Sequence, residues 1–417
     1  MDTSNSDKKC KNRFRIRRFI AKAGWRYALL FDSAEGAMPA YWPTAFCSHS
    51  LAHMSAATEL KHLETIKKIE EWAASQSVVI VDLLRSGKGF TAQQLDSLTE
   101  SLNRKRRLSK DDEKGATVNA RTYNSSLDEA SRYFSWLFTH LRSTSNSLAD
   151  VTFLSELKKA LKIRKRKKGS RAAYTQALLN KKISEPTRKA LFEKFDNPLK
   201  SSNTDFQKGI SFRDTLMLRI FYDLGIRLGE LLSLKLEDFI PARGGDHAYI
   251  NIVRNQDDAF DRRVNQPVAK TNGRMLAISP ELESEILKYL GDWRAFIPNV
   301  SFEDNAFIFV VHKAGINQGQ ALEISSIRSY FTTLRLSDKR LCGLHPHLLR
   351  HDWNYRFSKE CKERKTPEKE EIEQRCFLMG WVPNSSMAKH YNRRHTAEEA
   401  YTASVSMAYS ITRPKRD

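Results

Sequence analysis

Six residues in the second half of the chain carry side chains suited to one kind of chemistry. Arg227 stands in Leu224-Gly225-Ile226-Arg227-Leu228-Gly229-Glu230, directly after a glycine break and ahead of an apolar helical turn. His347 and Arg350 stand in His347-Leu348-Leu349-Arg350-His351, where on a helix a spacing of three puts both on one face. Trp381 follows Met379-Gly380, and Tyr391 comes ten residues later within Lys389-His390-Tyr391-Asn392-Arg393. Lys270 opens Lys270-Thr271-Asn272-Gly273-Arg274, a turn between two short strand-like runs.

A phosphodiester under attack gathers negative charge on its non-bridging oxygens, so fixed cationic donors aimed there lower the barrier. Arg227 and Arg350 suit this, being always charged and able to bind as a bidentate fork. A tyrosine, with a pKa near about 10, attacks at neutral pH only with nearby positive charge and a base, for which His347 is the candidate. Lys270 is the candidate acid for the departing oxygen, and Trp381 can only donate through its indole N–H. For Arg227 the plainer reading is a surface arginine paired with Glu230. His345, His347 and His351 lack an acidic or cysteine companion in their segment, so no metal site is expected there. The set brings no paired carboxylates, so a two-metal mechanism is not indicated.

The order Arg227, Lys270, His347 with Arg350, Trp381, Tyr391 resembles the tyrosine recombinase (phage integrase) family over about Glu185 to Arg394. That family pattern is an arginine, a hairpin lysine, His-x-x-Arg, a histidine or tryptophan, then the nucleophilic tyrosine. Trp381 occupies a position where most members carry histidine. The stretch Lys359 to Glu373, rich in lysine and glutamate, also lengthens the gap between Arg350 and Trp381. The resemblance implies a site-specific recombinase that cleaves and rejoins double-stranded DNA through a 3′-phosphotyrosyl bond. It would serve integration, excision or transposition of a mobile element without a cofactor. It further implies a homo-oligomer, a dimer on each site and a tetramer in the synaptic complex, and leaves room for accessory proteins. Of the competing tyrosines, Tyr401 and Tyr409 fall in a C-terminal helical tail that the family docks on a neighbouring protomer. Rival readings are a type IB topoisomerase, which relaxes supercoils, and a catalytically silent DNA-binding relative.

The remaining composition agrees with a polyanionic partner. The chain has 417 residues, enough for two or three domains, with 70 Lys plus Arg against 49 Asp plus Glu and a net charge of +21. The positive residues cluster in Lys8 to Arg18, in Arg104 to Arg107, and in Lys158 to Arg171, where nine of fourteen positions are basic. The third run supplies candidate phosphate contacts: Lys158, Lys159, Lys162, Arg164, Lys165, Arg166, Lys167, Lys168 and Arg171. Arg274 is read as either a phosphate clamp or simple surface charge. Five scattered cysteines form no Cys-x-x-Cys pair, and the longest apolar stretch is too short for a bilayer. No secretory signal is visible, so a cytoplasmic, DNA-associated protein without membrane contact is expected.

These residues need a scaffold. Apolar positions Leu60, Leu63, Ile66, Ile69 and Trp72 recur at helical spacing over 56–74, and Thr91 with Gln94 forms a capping-box signature. A third helix is expected over about 122–141, its Tyr133, Phe134, Trp136, Leu137 and Phe138 read as core rather than stacking surface. Trp25 to Phe31 reads as a short strand. Beyond the basic run, helices are expected over 185–195, 211–224 and 281–290. Strands are expected at Ala248 to Val253, Val268 to Lys270, Met275 to Ile278 and Phe307 to Val311. The expected fold class is mainly α with a small antiparallel β-sheet (α+β). An N-terminal accessory segment covers 1–51 and a helical core-binding domain 52–165. A basic linker (166–184) then leads to a catalytic domain with a C-terminal tail (185–417).

Overall fold

The computed structural model describes residues 13–36, 38–105, 116–142, 147–167, 169, 176, 181–199 and 204–410, with the side chains of 409 and 410 left out. Of the residues singled out above, Lys8, Lys9, Lys11, Arg106, Arg107, Lys168 and Arg171 and the Tyr409 side chain lie outside the described residues. The chain is mainly helical with two small three-stranded antiparallel sheets, and it divides into two compact units, 1–170 and 171–417.

The first unit opens with β1 (Phe14–Ile20), β2 (Arg26–Asp32) and β3 (Met38–Pro39), arranged in that order. Arg26, Ala28, Leu30 and Asp32 alternate inward along β2, as a half-buried strand requires. The helices are α1 (Tyr41–Phe46), α2 (Ala56–Ser75), α3 (Ile80–Ser86), α4 (Ala92–Asn103), α5 (Ala120–Leu141) and α6 (Leu148–Ile163). One core holds Phe14 and Leu30 of the sheet together with Phe46, Leu51, Leu63, Ile66, Tyr133 and Phe134. The Thr91–Gln94 capping box forms in both directions. In α5, Tyr133, Phe134, Leu137 and Phe138 are buried, while Trp136 is half-buried against Phe46.

Helix α6 carries the first part of the basic run. Lys158, Lys159 and Lys162 belong to a capped helix rather than to a free basic stretch, with Ser147 at its N-cap and Leu157 and Leu161 buried on one face. Two leucines at i, i+4 suffice to dock a helix whose other faces are lysine.

The second unit contains α7 (Glu185–Asp196), α8 (Asp205–Leu224), α9 (Leu228–Leu232), β4 (Phe239–Ile240), β5 (Ala248–Ile252) and β6 (Arg274–Ile278). It continues with α10 (Pro280–Lys288), α11 (Ile324–Ser337), α12 (Pro346–Glu363), α13 (Glu368–Met379) and α14 (Ser386–Ser410). The long interval between Arg350 and Trp381 is the rest of α12 and all of α13. The sheet has the order β4-β5-β6, with Ala248, Ile250 and Ile252 facing inward opposite Ile278, Leu276 and Arg274.

Two strand expectations fail here. Val268 to Lys270 and Phe307 to Val311 run outside named strands, the latter held by isolated bridges to Lys235 and Ala321. In the second segment buried arginines take two carbonyls, Arg294 that of Phe307 and Arg213 that of Val310. Arg263 donates to the Leu232 and Leu322 carbonyls, and Arg294 to the Ser301 and Phe307 carbonyls. Backbone acceptors buried away from water must find such partners.

Helix α12 is the spine of this unit. Its buried Asp352 pairs with Arg188 of α7 and with Arg356. Its Asn354 carbonyl accepts from Arg375 of α13, and Ser358 donates to Asn392 of α14. Among the described residues, eight buried arginines are matched by seven buried carboxylates, so the positive surplus remains on the outside.

Candidate active site

Helix α8 ends at Gly225 in the left-handed conformation, φ +59°. A Cβ there would sit 2.7 Å from the Trp353 ring, so only glycine fits both the cap and the close approach. The turn places Arg227 at the start of α9. Its backbone N–H donates to Glu230 Oε2 at 2.9 Å and its Nη1 to Oε1 at 3.1 Å, leaving the side chain about 30% exposed. The ion pair expected on the plainer reading therefore exists, yet Glu230 is wholly buried and Arg227 is not.

Pro346 occupies the first turn of α12, and His347 and Arg350 follow at i, i+3. Arg350 is 1% exposed; its Nη1 donates to the Gly225 carbonyl at 2.7 Å and its Nη2 to the Met379 carbonyl at 3.4 Å. Its buried Nε has no partner. Burial first, then the Arg227 charge beside it, pulls its pKa down to about 10, so it stays cationic at neutral pH.

Gly380 ends α13 at φ +67° and delivers Trp381 into a small buried cluster with Met379, Ala388 and Tyr391. The Trp381 indole stacks on the Tyr391 ring with centroids 5.2 Å apart, and the Arg350 guanidinium carbon lies 5.5 Å from the Trp381 ring and 5.9 Å from Tyr391. The indole Nε1 is buried without a partner. The His347 ring lies 6.2 Å from that of Tyr391. Partial burial of the His347 ring, together with the charges of Lys181, Arg350, His345 and Arg227, pushes its pKa down to about 4. At neutral pH it is an uncharged imidazole able to accept a proton.

Lys270 lies exposed on the irregular segment before β6, not on a strand of a tight hairpin. Its loop is nevertheless tied to the tryptophan turn, because the Asn272 N–H donates to the Gly380 carbonyl at 2.9 Å. Arg274 is not surface charge. It is buried, with its Nη2 on Glu230 Oε2 at 2.9 Å and its Nε on the Leu378 carbonyl at 2.6 Å. Burial alone would raise the Glu230 pKa, but Arg274 above all, with Arg350 and the Arg227 N–H, holds it down at about 2.

The structure thus gathers Arg227, His347, Arg350, Trp381 and Tyr391, and connects the Lys270 loop to them by backbone. Three further neighbours stand at this site without a catalytic role assigned from the sequence. His351 is buried with its ring 4.6 Å from Tyr391, and its Nε2 has no partner; burial and the nearby His347 push its pKa down to about 3. Lys181 lowers the pKa of His347, His351 and His390 alike, and its carbonyl accepts from Arg394. Glu230 is the common acceptor of Arg227 and Arg274. His351 and Glu230 are visible in the sequence beside motif residues, as a histidine weighed for a metal site and as a partner for Arg227, but nothing local marks Lys181.

The basic run behaves unevenly. Lys158, Lys159, Lys162, Arg166 and Lys167 are exposed. Arg164 pairs with Asp96 and Lys165 with Asp128, while Arg166 donates to the Val118 carbonyl and lies over the Tyr123 ring. Among the described residues no group of three His, Cys, Asp or Glu is placed to hold a metal ion, and no helix is long and apolar enough to cross a membrane.

No protein-family model matches the chain, and no curated protein matches it by sequence. Among solved structures it is similar to the XerH site-specific recombinase bound to palindromic difH substrate in a post-cleavage complex. That match has 15% identity and a TM-score of 0.40, covering 76% of this chain and 85% of that one. It is similar also to XerH bound to difH substrate in a pre-cleavage complex, at 15% identity and TM-score 0.40, covering 86% of this chain and 94% of that one.

Proposed function

We propose that this chain is a site-specific tyrosine recombinase acting on double-stranded DNA. One observation carries the reading: two buried donors without partners, Arg350 Nε and Trp381 Nε1, belong to side chains packed around the Tyr391 ring. Buried donors left unmade cost about 1–3 kcal/mol each, a cost that an anionic ligand held at this position would recover.

In the reaction, Tyr391 Oη attacks the scissile phosphorus and gives its proton to neutral His347. The bond from phosphorus to the 5′ oxygen breaks as the phosphotyrosyl bond forms. Lys270 protonates the departing 5′ oxygen. Arg227 and Arg350 bind the non-bridging oxygens, and Trp381 adds a single hydrogen bond. The bond energy stays in the phosphotyrosyl link, so a second 5′ hydroxyl can reverse the step without a nucleotide cofactor. A dimer on each site and a tetramer at synapsis would let four such steps exchange two duplexes, as integration, excision or transposition requires. The exposed basic positions from Lys158 to Lys167 support phosphate contacts outside the cleavage site.

The test combines two assays. On a nicked suicide duplex, the chain should accumulate a covalent adduct through a DNA 3′ phosphate, leaving a free 5′ hydroxyl. With two distinguishable duplexes bearing its site it should also yield recombinant joints. An adduct without joints, accompanied by relaxation of supercoils, would replace this reading with a topoisomerase; a 5′ linkage would end both.

A further inference from the structure

We propose that Arg274 is a positioning residue that holds the Lys270 to Thr271 loop in register against two other catalytic segments, Arg227 to Glu230 and Leu378 to Trp381. The inference rests on the recombinase reading. Each of its three guanidinium nitrogens is engaged within the protein. Nε donates to the Leu378 carbonyl at 2.6 Å, Nη2 to Glu230 Oε2 at 2.9 Å, and Nη1 to Thr271 Oγ1 at 3.3 Å. Its side chain is 1% exposed and that of Glu230 is 0% exposed, so the pair is sealed from water.

A sealed ion pair is a poor device for stability, since the desolvation of both charges offsets most of their attraction. It is a good device for geometry, because a planar fork fixes the direction of every bond it makes. Three further contacts hold the same junction. Thr271 Oγ1 donates to Glu230 Oε1 at 2.8 Å, and the Asn272 N–H donates to the Gly380 carbonyl at 2.9 Å. Gly380 approaches so closely that a Cβ would fall 2.8 Å from Arg274 Nη1 and 2.7 Å from the Asn272 carbonyl oxygen. Glu230 in turn grips Arg227. Arg274 therefore acts through Lys270, whose loop it pins against the tryptophan turn, while touching no DNA itself.

The test measures cleavage of two suicide duplexes, one with an ordinary phosphodiester and one with a 5′-bridging sulfur, which leaves without a proton. Arg274→Ala should cut the ordinary substrate about 100-fold more slowly, the scale of a small misplacement of a catalytic group. It should recover on the sulfur substrate to within about tenfold of the parent, as Lys270→Ala should, because what is lost is proton delivery. Thr271→Val, nearly isosteric and at a half-buried position, should show the same signature with a smaller loss, and decides the matter if Arg274→Ala does not fold. Parent rates for both variants, or equal slowing on both substrates, overturn the inference while leaving the recombinase reading intact. A parent chain that forms no adduct on either substrate overturns both.

Discussion

The indole of Trp381 lies against the phenol ring of Tyr391 with planes inclined by 26°, and the Arg350 guanidinium packs beside both. The tryptophan thus has two separable properties, a flat face that holds the tyrosine and an N–H that can reach an anion. Trp381→Phe keeps the face and removes the donor. It should lower the cleavage rate by about 10²-fold or somewhat more, the usual cost of one preorganised donor, with little change in DNA affinity. Trp381→His restores a donor and should recover part of that loss. An unchanged rate for the phenylalanine variant in single-turnover cleavage would remove the indole N–H from the mechanism.

Tyr391→Phe should bind DNA like the parent and form no adduct, because one hydroxyl is lost and the ring packing stays. Among the described residues that hydroxyl has no hydrogen-bond partner, whereas Tyr401 is about half exposed ten residues further along α14, some ~15 Å away along the helix. Peptide mapping of the trapped complex should place DNA on Tyr391; mapping to Tyr401 would sink the assignment.

Neutralising Lys158, Lys159, Lys162 and Lys167 together should flatten the dependence of DNA affinity on salt, without altering sequence preference. The log–log slope should fall by roughly one unit for each phosphate that the variant no longer neutralises. Arg164→Gln should behave differently. Its guanidinium pairs with Asp96 and reaches the Ala160 carbonyl, so the expected effect is a lower melting temperature for the first unit. Equal salt slopes for the quadruple variant and the parent would show that α6 does not track phosphates.

Stability should fall on mild acidification. Burial, with Arg213 nearby, pushes the His312 pKa down to about 3, while His347 stands at about 4 and His351 at about 3. The unfolded chain takes up these protons near about pH 6.5. Between that pH and the folded values the unfolded state binds more protons, so stability rises with pH and is lost as pH falls through the window. Asp238 works the other way: burial raises its pKa to about 6, so its part of the stability declines as pH rises from about 4 to 6. His312 packs on Tyr289 away from the site, so His312→Phe should make melting temperature less steep in pH below about 6.5. An unchanged slope in a calorimetric pH series would contradict this.

Gly229→Ala tests the approach of the lysine-bearing segment to α9. The added Cβ would lie 2.5 Å from the Val268 carbonyl oxygen, so one backbone must retreat. The expected result is a loss of about 1–3 kcal/mol in denaturant unfolding, together with slower cleavage of an ordinary phosphodiester. A variant as stable and active as the parent would mean that the segment from Val268 to Lys270 moves freely.

What the sequence by itself determined is what neighbouring residues decide among themselves. The Thr91–Gln94 box, the helix around Tyr133, the i, i+3 placement of His347 and Arg350, and the stop at Gly225 depend on helical period and on one residue's backbone freedom. Each was legible because the partners lie within a turn or two. The tertiary structure alone decided the fate of the arginines and the irregular strands. Nothing local distinguishes Arg274, whose partners Glu230 and Leu378 lie 44 and 104 positions away, from Lys162 on the surface. Phe307 to Val311 has the composition of a strand, but its Phe307 and Val310 carbonyls accept from Arg294 and Arg213, and those of Phe309 and Val311 from loop N–H groups, so no ladder forms. Lys158 to Lys162 reads as part of a basic run of phosphate contacts because charge masks the two leucines that dock α6. A side chain's type states what it can bind, and only the folded chain determines which acceptor reaches it first and whether water is still present to compete.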